Sequence, residues 1–295
     1  MFFVLMVFNA CGAKENVVKQ AAIKPNINSK DSIIVTPQLL NTSVIHTSWQ
    51  PLLSSALTKL DPAYLTSLND STWLPGPEAI FNAFSLPLPK TQYILFGESP
   101  YPRALSANGY AFWDAQVLEL WSETGFDSRV NRATSLRNFL KMLLVAEGKL
   151  SPDDVSQNAI AALNKNSLVQ TCSSLFSNFI KKGFLLLNAS LVLSSHNITD
   201  DAKAWRPFME RLLENLTLEN KKIKLLLFGR IANEILKFPV SAHFTIITAE
   251  HPYNLSFIKN EKIINLFKDL HLLGRVPKGF LDAKKEGIEA NFSKI

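Results

Sequence analysis

Four apolar runs of strand length divide the chain, and helical patterns lie between them. Three of these runs end at a residue that signals a loop or turn, namely Gly97, Asn188 and Gly229. Because strands buried on both faces of a parallel sheet have nearly continuous apolar sequences, the alternation predicts an α/β protein. We expect one three-layer α/β/α domain with a central, mostly parallel four-stranded sheet. The predicted strands are residues 93–96, 184–187, 225–228 and 244–249.

Helices are predicted where apolar residues recur every three to four positions. The first begins near Trp49, and another has Ser135 as its N-terminal cap. A further helix is predicted to start at Ser151, which precedes a proline and two acidic residues. Residues 203–216 and 257–270 supply two more.

The N-terminal stretch differs from the rest of the chain. Residues 1–47 combine an apolar start with a polar segment that lacks periodicity, and we expect an extension outside a folded domain at 48–295. The start ends at Cys11 and faintly resembles a lipoprotein cleavage site, but it lacks basic residues and is short for a signal. No other stretch approaches the length of a membrane-spanning helix, so no membrane association is expected.

The composition is that of an ordinary globular protein with a modest excess of positive charge. Hydrophobic residues make up 47% and charged residues 19% of the chain, whose formal charge is +6. That charge favours an anionic partner such as nucleic acid but does not establish one. The two cysteines, Cys11 and Cys172, cannot form a four-thiolate cluster, and no zinc-ligand spacing is present. We therefore expect no metal, no cofactor and a reducing, cytoplasmic location.

Candidate chemistry follows the first and the last predicted strands. Residues 97–102 read Gly-Glu-Ser-Pro-Tyr-Pro directly after the first strand, and His251-Pro252 follows the fourth. In open α/β sheets, ligands bind in the crevice at the carboxyl ends of the strands. These two loops are therefore the first candidates for an active site.

Several motifs, in the same order, resemble those of the uracil-DNA glycosylases. That family has Gly-Gln-Asp-Pro-Tyr-His after its first strand, a Gly-Val-Leu-Leu-Leu-Asn strand and a His-Pro-Ser-Pro-Leu-Ser loop. The resemblance spans roughly residues 49–272 and implies the three-layer fold and action on DNA. The matching segments of this chain are residues 81–84, 97–102, 107–112, 135–138, 183–188 and 251–256.

The resemblance implies how a flipped uracil is held. An enzyme that cuts a base from DNA rotates it out of the helix into a pocket that reads its edge. Asn188 would offer the acceptor and donor for uracil N3–H and O4, Phe112 a stacking face, and Tyr101 a ring filling the space of a thymine methyl. The alternatives are that Phe112 is a core residue and that Asn188 caps a turn.

Two further residues of the resemblance concern base departure and base flipping. His251 resembles the family histidine that hydrogen-bonds uracil O2 while the leaving base gains negative charge. Leu255 resembles the side chain inserted into the duplex in place of the flipped base. Alternatively, the histidine is structural and the leucine packs against the protein.

Contacts to DNA phosphates are implied for Ser135, Ser256 and the loop Gly229-Arg230. Family members usually have Gly-Ser at the last of these positions. Arg230 could add a charge-assisted contact, or it could be a solvated residue at a helix start.

The sequence departs from the family on the side of the attacking water. The family aspartate that orients this water aligns with Ser99, and losing such a group typically costs about 10²–10⁴ in rate. Glu98 is the remaining carboxylate in the motif, and more distant uracil glycosylases have Gly-Glu-x-Pro here, which favours Glu98 as a replacement. The segment 113–132 has no clear counterpart in the family and could alter access of DNA.

We therefore expect a monomeric uracil-DNA glycosylase that acts in base-excision repair on uracil-containing DNA, single- or double-stranded, with catalytic residues Glu98, Ser99 and His251. The replacement at Ser99 keeps a second hypothesis open, a catalytically inactive DNA-binding or scaffold protein derived from the same fold. A lipid-anchored envelope protein is a third hypothesis and depends on Cys11 alone.

Overall fold

The computed structural model describes residues 42–194, 198–219 and 222–275. The strands are β1 Trp73–Leu74, β2 Tyr93–Gly97, β3 Trp121–Ser122, β4 Gly125–Phe126, β5 Phe184–Asn188, β6 Leu193–Ser194, β7 Lys224–Phe228 and β8 Thr245–Ala249. The α-helices are α1 Gln50–Leu57, α2 Pro62–Ser67, α3 Ser128–Arg132, α4 Thr134–Ala146, α5 Gln157–Ala161, α6 Cys172–Lys181, α7 Ile198–Leu218, α8 Ile231–Ile235 and α9 Glu261–Phe267. Short 3₁₀ turns lie at Thr47–Trp49, Leu68–Asp70, Asn82–Ser85, Leu88–Lys90, Lys165–Ser167, Pro239–His243 and Leu255–Lys259.

The central sheet confirms the four predicted strands. Its order is β5-β2-β7-β8, and each neighbouring pair is parallel. The three inner residues of β2 and all of β5 are buried, as expected for strands covered on both faces. Helices surround the sheet in the predicted three-layer α/β/α arrangement.

Aromatic side chains fix one group of helices over the sheet. Phe139 of α4, Phe179 of α6 and Phe267 of α9 have ring centroids 5.5–6.0 Å apart. Phe267 also stacks on Phe184 of β5 at 5.8 Å. Such pairs each contribute about 0.5–1.5 kcal/mol beyond the burial of their surface. The cluster therefore holds the first turns of α4 near the strands that end at the candidate site.

Hydrogen bonds join α7 to α1 and α2. Asn215 of α7 is buried, and its side-chain amide donates to the Leu52 carbonyl of α1 at 3.0 Å. Nearer the start of α7, the indole of Trp205 is fully buried and donates to the Tyr64 hydroxyl at 3.0 Å. The predicted first helix with its buried face is confirmed.

Some predicted helix boundaries are wrong. Ser135 does not cap α4, because the cap position is Ala133 and Ser135 lies within the first turn. No helix starts at Ser151, which is bridged to Asp154 instead. The Asp154 carboxylate accepts the backbone N–H of Ser156 at 3.1 Å, and such local bonds compete with a helix. The helix of this region, α5, begins only after Ser156.

The predicted helix over 257–270 is interrupted. Residues 255–259 form a 3₁₀ turn, and the side chain of Asn260 accepts the Ile263 N–H at 3.2 Å. This bond caps a new helix, α9, which is shorter than predicted.

The predicted domain boundary at 47/48 lies near the start of the described residues. Ile45 is buried, and the His46 N–H donates to the Phe84 carbonyl at 3.0 Å, so these residues already pack on the domain. The rest of the predicted extension, including Cys11, lies outside the described residues. Among the described residues, no helix is both long and apolar enough to span a membrane.

Candidate active site

The ends of β2 and β5 lie side by side at the carboxyl edge of the sheet. Gly97 and Asn188 are partners in the register. The Ala189 N–H donates to the Gly97 carbonyl at 2.9 Å, and the Ser190 N–H donates to the Glu98 carbonyl at 3.0 Å. The loop that begins with Glu98 is therefore anchored to the chain that leaves Asn188.

Asn188 is a buried polar residue at this edge, with 3% of its surface exposed. Its side-chain amide forms no hydrogen bond with the part of the chain that the structure describes. A Cβ atom at Gly97 would overlap Asn188 Oδ1 and would lie 2.9 Å from Ala111 Cβ. The amide thus lies across Gly97, close to the residue that precedes Phe112, and it is free to bind a ligand.

Phe112 lies next to these residues in an uncommon backbone conformation. Its φ is 65°, a left-handed value that residues other than glycine rarely adopt. Such a conformation typically costs about 1–3 kcal/mol and persists where the surroundings impose it, often at functional sites. Here the Ala111 N–H donates to the Leu186 carbonyl at 3.1 Å, and the Tyr101 hydroxyl donates to the Phe112 carbonyl at 3.2 Å.

The rings of Phe112 and His251 face each other. Their centroids are 6.3 Å apart and their planes differ by 24°. Phe112 also contacts Phe139 and Phe228, so one part of its half-buried ring belongs to the core. The core interpretation and the stacking interpretation of Phe112 are therefore compatible.

Tyr101 is fixed at the same place. Burial raises the pKa of its hydroxyl strongly, and the nearby carboxylate of Asp114 raises it further. The group is therefore a neutral hydrogen-bond donor, and its bond to the Phe112 carbonyl fixes the ring beside the site.

His251 reaches the site across the loop after β7. A Cβ at Gly229 would lie 2.7 Å from His251 Cβ, so a glycine is required for this approach. The Tyr253 N–H donates to His251 Nδ1 at 3.1 Å. When the ring is neutral, its proton is therefore on Nε2, which can donate to a ligand.

The protonation of His251 follows from its surroundings. Burial lowers its pKa from the ordinary 6.5, Glu98 opposes this, and Arg230 lowers it further. The ring is therefore neutral at pH 7. Arg230 pairs with Glu98 and directly follows Gly229, which packs against His251, so the three residues lie near one another.

Glu98 is paired with Arg230. Its carboxylate accepts a hydrogen bond from Arg230 Nη2 at 3.2 Å, and the two side chains are 44% and 87% exposed. Exposed pairs of this kind are worth about 0–1 kcal/mol and exchange readily with other ligands. Ser99 is half-buried, and its hydroxyl makes a long contact of 3.5 Å to the Pro100 carbonyl.

The loop 251–256 is attached to α4 through Asn138. The buried side chain of Asn138 donates to the carbonyls of Pro252 and Tyr253, at 2.8 and 3.2 Å. Leu255 follows on the same loop with 70% of its surface exposed, so it does not pack against the described part of the protein. Ser256 is also exposed, and its hydroxyl interacts with the carboxylate of Glu250.

Ser135 is placed differently from the other predicted site residues. It is half-buried in the first turn of α4, and its hydroxyl makes no hydrogen bond to the described residues. It lies one turn before Asn138, the residue that anchors the His251 loop. Its predicted role stays a prediction.

The sequence analysis assigned no function to Asn138 and no pairing to Glu98 and Arg230. Asn138 stands among buried apolar positions of α4, and a polar residue on such a face signals a buried hydrogen bond. Glu98 and Arg230 are separated by 132 residues, and no local pattern could have linked them. Groups of three or more side chains suited to a metal ion do not occur among the described residues.

Comparisons with known proteins agree with this geometry. No family model matches the chain. The chain is 24% identical over 221 residues to the uracil-DNA glycosylase of Streptococcus mutans, covering 72% of this chain and 85% of that protein. It is 27% identical over 217 residues to the uracil-DNA glycosylase of Lactococcus lactis, covering 71% and 85%. Among solved structures, the UNG of Nitratifractor salsuginis is similar with a TM-score of 0.75 and 43% identity, over 79% of this chain and 94% of that chain.

Proposed function

The chain belongs to the uracil-DNA glycosylase superfamily, and from this premise we propose that it flips uracil out of DNA and hydrolyses the N-glycosidic bond. The observation that carries the proposal is the side-chain amide of the buried residue Asn188, which makes no hydrogen bond to the described residues. It lies across Gly97 beside Ala111 and Phe112, whose ring faces His251. Because no described group occupies this amide, its acceptor and its donor are available to a ligand.

Base recognition falls to three residues in this proposal. Asn188 binds uracil N3–H and O4, because an amide offers an acceptor and a donor side by side. Phe112 supplies the stacking face, and Tyr101 occupies the space that a thymine methyl would need. The hydrogen bond from Tyr101 to the Phe112 carbonyl supports this, because it fixes the Tyr101 ring against the backbone of Phe112.

His251 stabilises the departing base. As the bond between the sugar C1′ and uracil N1 breaks, negative charge develops on uracil O2, and Nε2–H of the neutral imidazole donates to it. The Tyr253 N–H on Nδ1 supports this assignment, because it leaves the proton on Nε2. A single preorganised donor of this kind typically contributes about 2.7–4 kcal/mol to catalysis.

Glu98 acts on the water that adds to C1′. In this step the water forms the new C1′–O bond and its proton passes to the Glu98 carboxylate. Ser99, at the position of the family aspartate, can hold the water but is a poor base. The proximity of Glu98 to His251 supports the assignment, since both must face the same sugar.

The surrounding loops contact DNA. Leu255 enters the space left by the base, and its exposure on the loop supports this role. Ser135, Ser256 and the Gly229-Arg230 loop contact phosphates. We propose that the protein acts as a monomer on single- or double-stranded DNA in the cytoplasm, and the buried free thiol of Cys172 supports a reducing compartment.

The test is release of free uracil from a single-stranded oligonucleotide that contains one uracil. The native chain should release uracil, while His251→Ala and Glu98→Gln should each be slower by about 10²–10³. Lys181→Ala, an exposed change at the opposite end of the sheet, serves as the matched control. A folded native chain that releases no uracil would refute the enzymatic proposal.

The second candidate function is DNA binding without catalysis. The ion pair of Glu98 with Arg230 favours it, because the carboxylate is bound to a guanidinium instead of a water. This candidate predicts equal affinity for oligonucleotides with and without uracil, weakened steeply by salt. Preferential binding of the uracil-containing oligonucleotide would exclude it.

A further inference from the structure

A second concavity lies beside the candidate site. It encloses about 490 Å³, which is within the usual range of ligand pockets, about 300–1,000 Å³. Its wall is formed by the segment that follows Tyr101, by the segment that follows Phe112, and by α3 with the residue before α4. We call it the arginine groove, after Arg103, Arg129 and Arg132.

The charge of the arginine groove is positive after internal pairing. Arg103 donates to Asp114 at 2.8 Å, and Asp114 is buried, so these two charges largely cancel. Arg129 and Arg132 are exposed and form no ion pair with the described residues. They are three positions apart on α3, so they lie on one side of that helix. Two unpaired guanidinium groups therefore face an open cavity.

The apolar part of the groove is also unusual. Leu105 and Leu118, which both line it, are 75% and 57% exposed. Large aliphatic side chains at the rim of a basic groove suit a ligand that combines anionic groups with flat apolar surfaces. A nucleotide chain has this combination, because phosphates alternate with bases.

The groove is connected to the base site through the chain. Arg103 is two residues after Tyr101, and Asp114 is two residues after Phe112. The charges of Asp114 and Arg103 are both felt at the Tyr101 hydroxyl. Ala133, at the other wall, immediately precedes α4, whose Asn138 carries the His251 loop. Tyr101 and Phe112 of the base site are thus each two residues from a residue that lines the groove.

Much of the groove comes from the segment for which the sequence analysis found no family counterpart. This segment, 113–132, forms the hairpin β3–β4 and the helix α3. It is fixed to the domain by main-chain bonds, from the Leu120 N–H to the Gln170 carbonyl at 2.9 Å and from the Cys172 N–H to the Leu118 carbonyl at 2.8 Å. The Asp127 carboxylate caps α3 by accepting the Arg129 N–H at 2.8 Å. Arg129 and Arg132 are therefore held on a supported scaffold.

We propose that the arginine groove binds the phosphate backbone of the DNA strand next to the flipped nucleotide, with Arg129 and Arg132 as the phosphate ligands. This proposal rests on the proposed function in one respect, namely that the bound strand is the one from which the base is flipped. The groove extends the DNA contact along one side of the flipped nucleotide.

The test compares two double variants with the same loss of charge. Arg129→Ala/Arg132→Ala removes both phosphate ligands. Lys181→Ala/Lys182→Ala removes two exposed cations that precede β5, at the opposite end of the sheet. Binding of a fluorescent single-stranded oligonucleotide without uracil is measured by polarisation between 50 and 200 mM salt.

In the groove variant, the fall of log affinity with log salt should be less steep by about 1.4, since each single-strand phosphate contact contributes about −0.7 to the slope. The ratio of native affinity to variant affinity should therefore fall about sevenfold from 50 to 200 mM salt. The lysine variant should keep the native slope. Equal slopes for the native chain and both variants, or equal losses in both variants, would overturn the proposal.

A second measurement separates this proposal from the proposed function. Uracil release is compared for oligonucleotides with the uracil near either end. Native kcat/KM should increase when nucleotides are added on one side, and the groove variant should lose that increase while keeping its rate on the shortest substrate. If the native chain releases no uracil, the proposed function fails, and the groove is judged by the salt slopes alone. An unchanged increase in the groove variant would count against the groove and not against the enzyme.

Discussion

Gly97→Ala tests whether the close approach of Asn188 positions the base site. Gly97 has an ordinary φ, so the absence of a side chain, and not the backbone conformation, makes glycine necessary here. An added methyl would overlap Asn188 Oδ1 and would lie 2.9 Å from Ala111 Cβ, where ordinary contacts begin near 3.4 Å. Ala111 must therefore move by about half an ångström, and the amide must move further.

The expected stability change is small compared with the expected loss of activity. Overpacking typically costs about 1–3 kcal/mol, and the lower entropy of the unfolded alanine chain returns about 0.4–1 kcal/mol. We expect a net loss of about 1–2 kcal/mol, measured as a lower urea midpoint with an unchanged slope. Displacing a positioning group by about 1 Å can cost about 10² in rate, so uracil release should fall by roughly that factor.

Gly274→Ala is the matched control for Gly97→Ala. Gly274 also has an ordinary φ, and an added methyl there would meet only the His271 carbonyl at 3.4 Å. This variant should release uracil at the native rate. If the folded Gly97→Ala protein releases uracil within about twofold of the native rate, the amide of Asn188 does not act as the geometry indicates.

Three further changes test the loop and the charges around the site. Asn138→Ala removes the donor to the carbonyls of Pro252 and Tyr253 and should cost about 1–3 kcal/mol in urea unfolding, with slower uracil release; native stability would contradict the attachment. Since neutral His251 is the active form and its pKa is lowered, uracil release should decline only below pH 6.5. Arg230→Ser removes a charge that lowers this pKa, so the decline should start at higher pH, with stability changed by less than about 1 kcal/mol; an unshifted pH profile would contradict this. Leu255→Ala should change stability by less than about 0.5 kcal/mol and slow uracil release from double-stranded DNA only; equal slowing on single strands would exclude a wedge.

The ion pair between Glu98 and Arg230 separates the two candidate functions. A DNA phosphate that binds Arg230 would release Glu98, which could then accept the proton of the attacking water. Without DNA, Arg230 Nη2 lies 3.2 Å from the Glu98 carboxylate and balances its charge. The proposed enzyme and the inactive binding protein therefore differ in whether Arg230 exchanges its partner.

The sequence by itself determined the sheet and the order of the site motifs. Strands such as β2 and β5 are buried on both faces, so their apolar runs are readable without knowledge of their neighbours. The carboxyl ends of parallel strands share one edge, and this predicted that the loops beginning at Gly97 and His251 form the site. Helix boundaries were less readable, because α4 starts after Ala133 without a side-chain cap, while Ser156 and not Ser151 caps α5.

Only the tertiary structure decided the pairing of charges and the second cavity. Glu98 meets Arg230 because β2 and β7 end at the same edge of the sheet, and Asn138 meets the loop of His251 because α4 lies beside that loop. Neither contact has a signal in the spacing of residues along the chain. The arginine groove likewise requires α3 to fold back beside the segment after Tyr101. Local patterns report burial and turns, whereas contacts between distant residues depend on how the whole sheet and its helices pack.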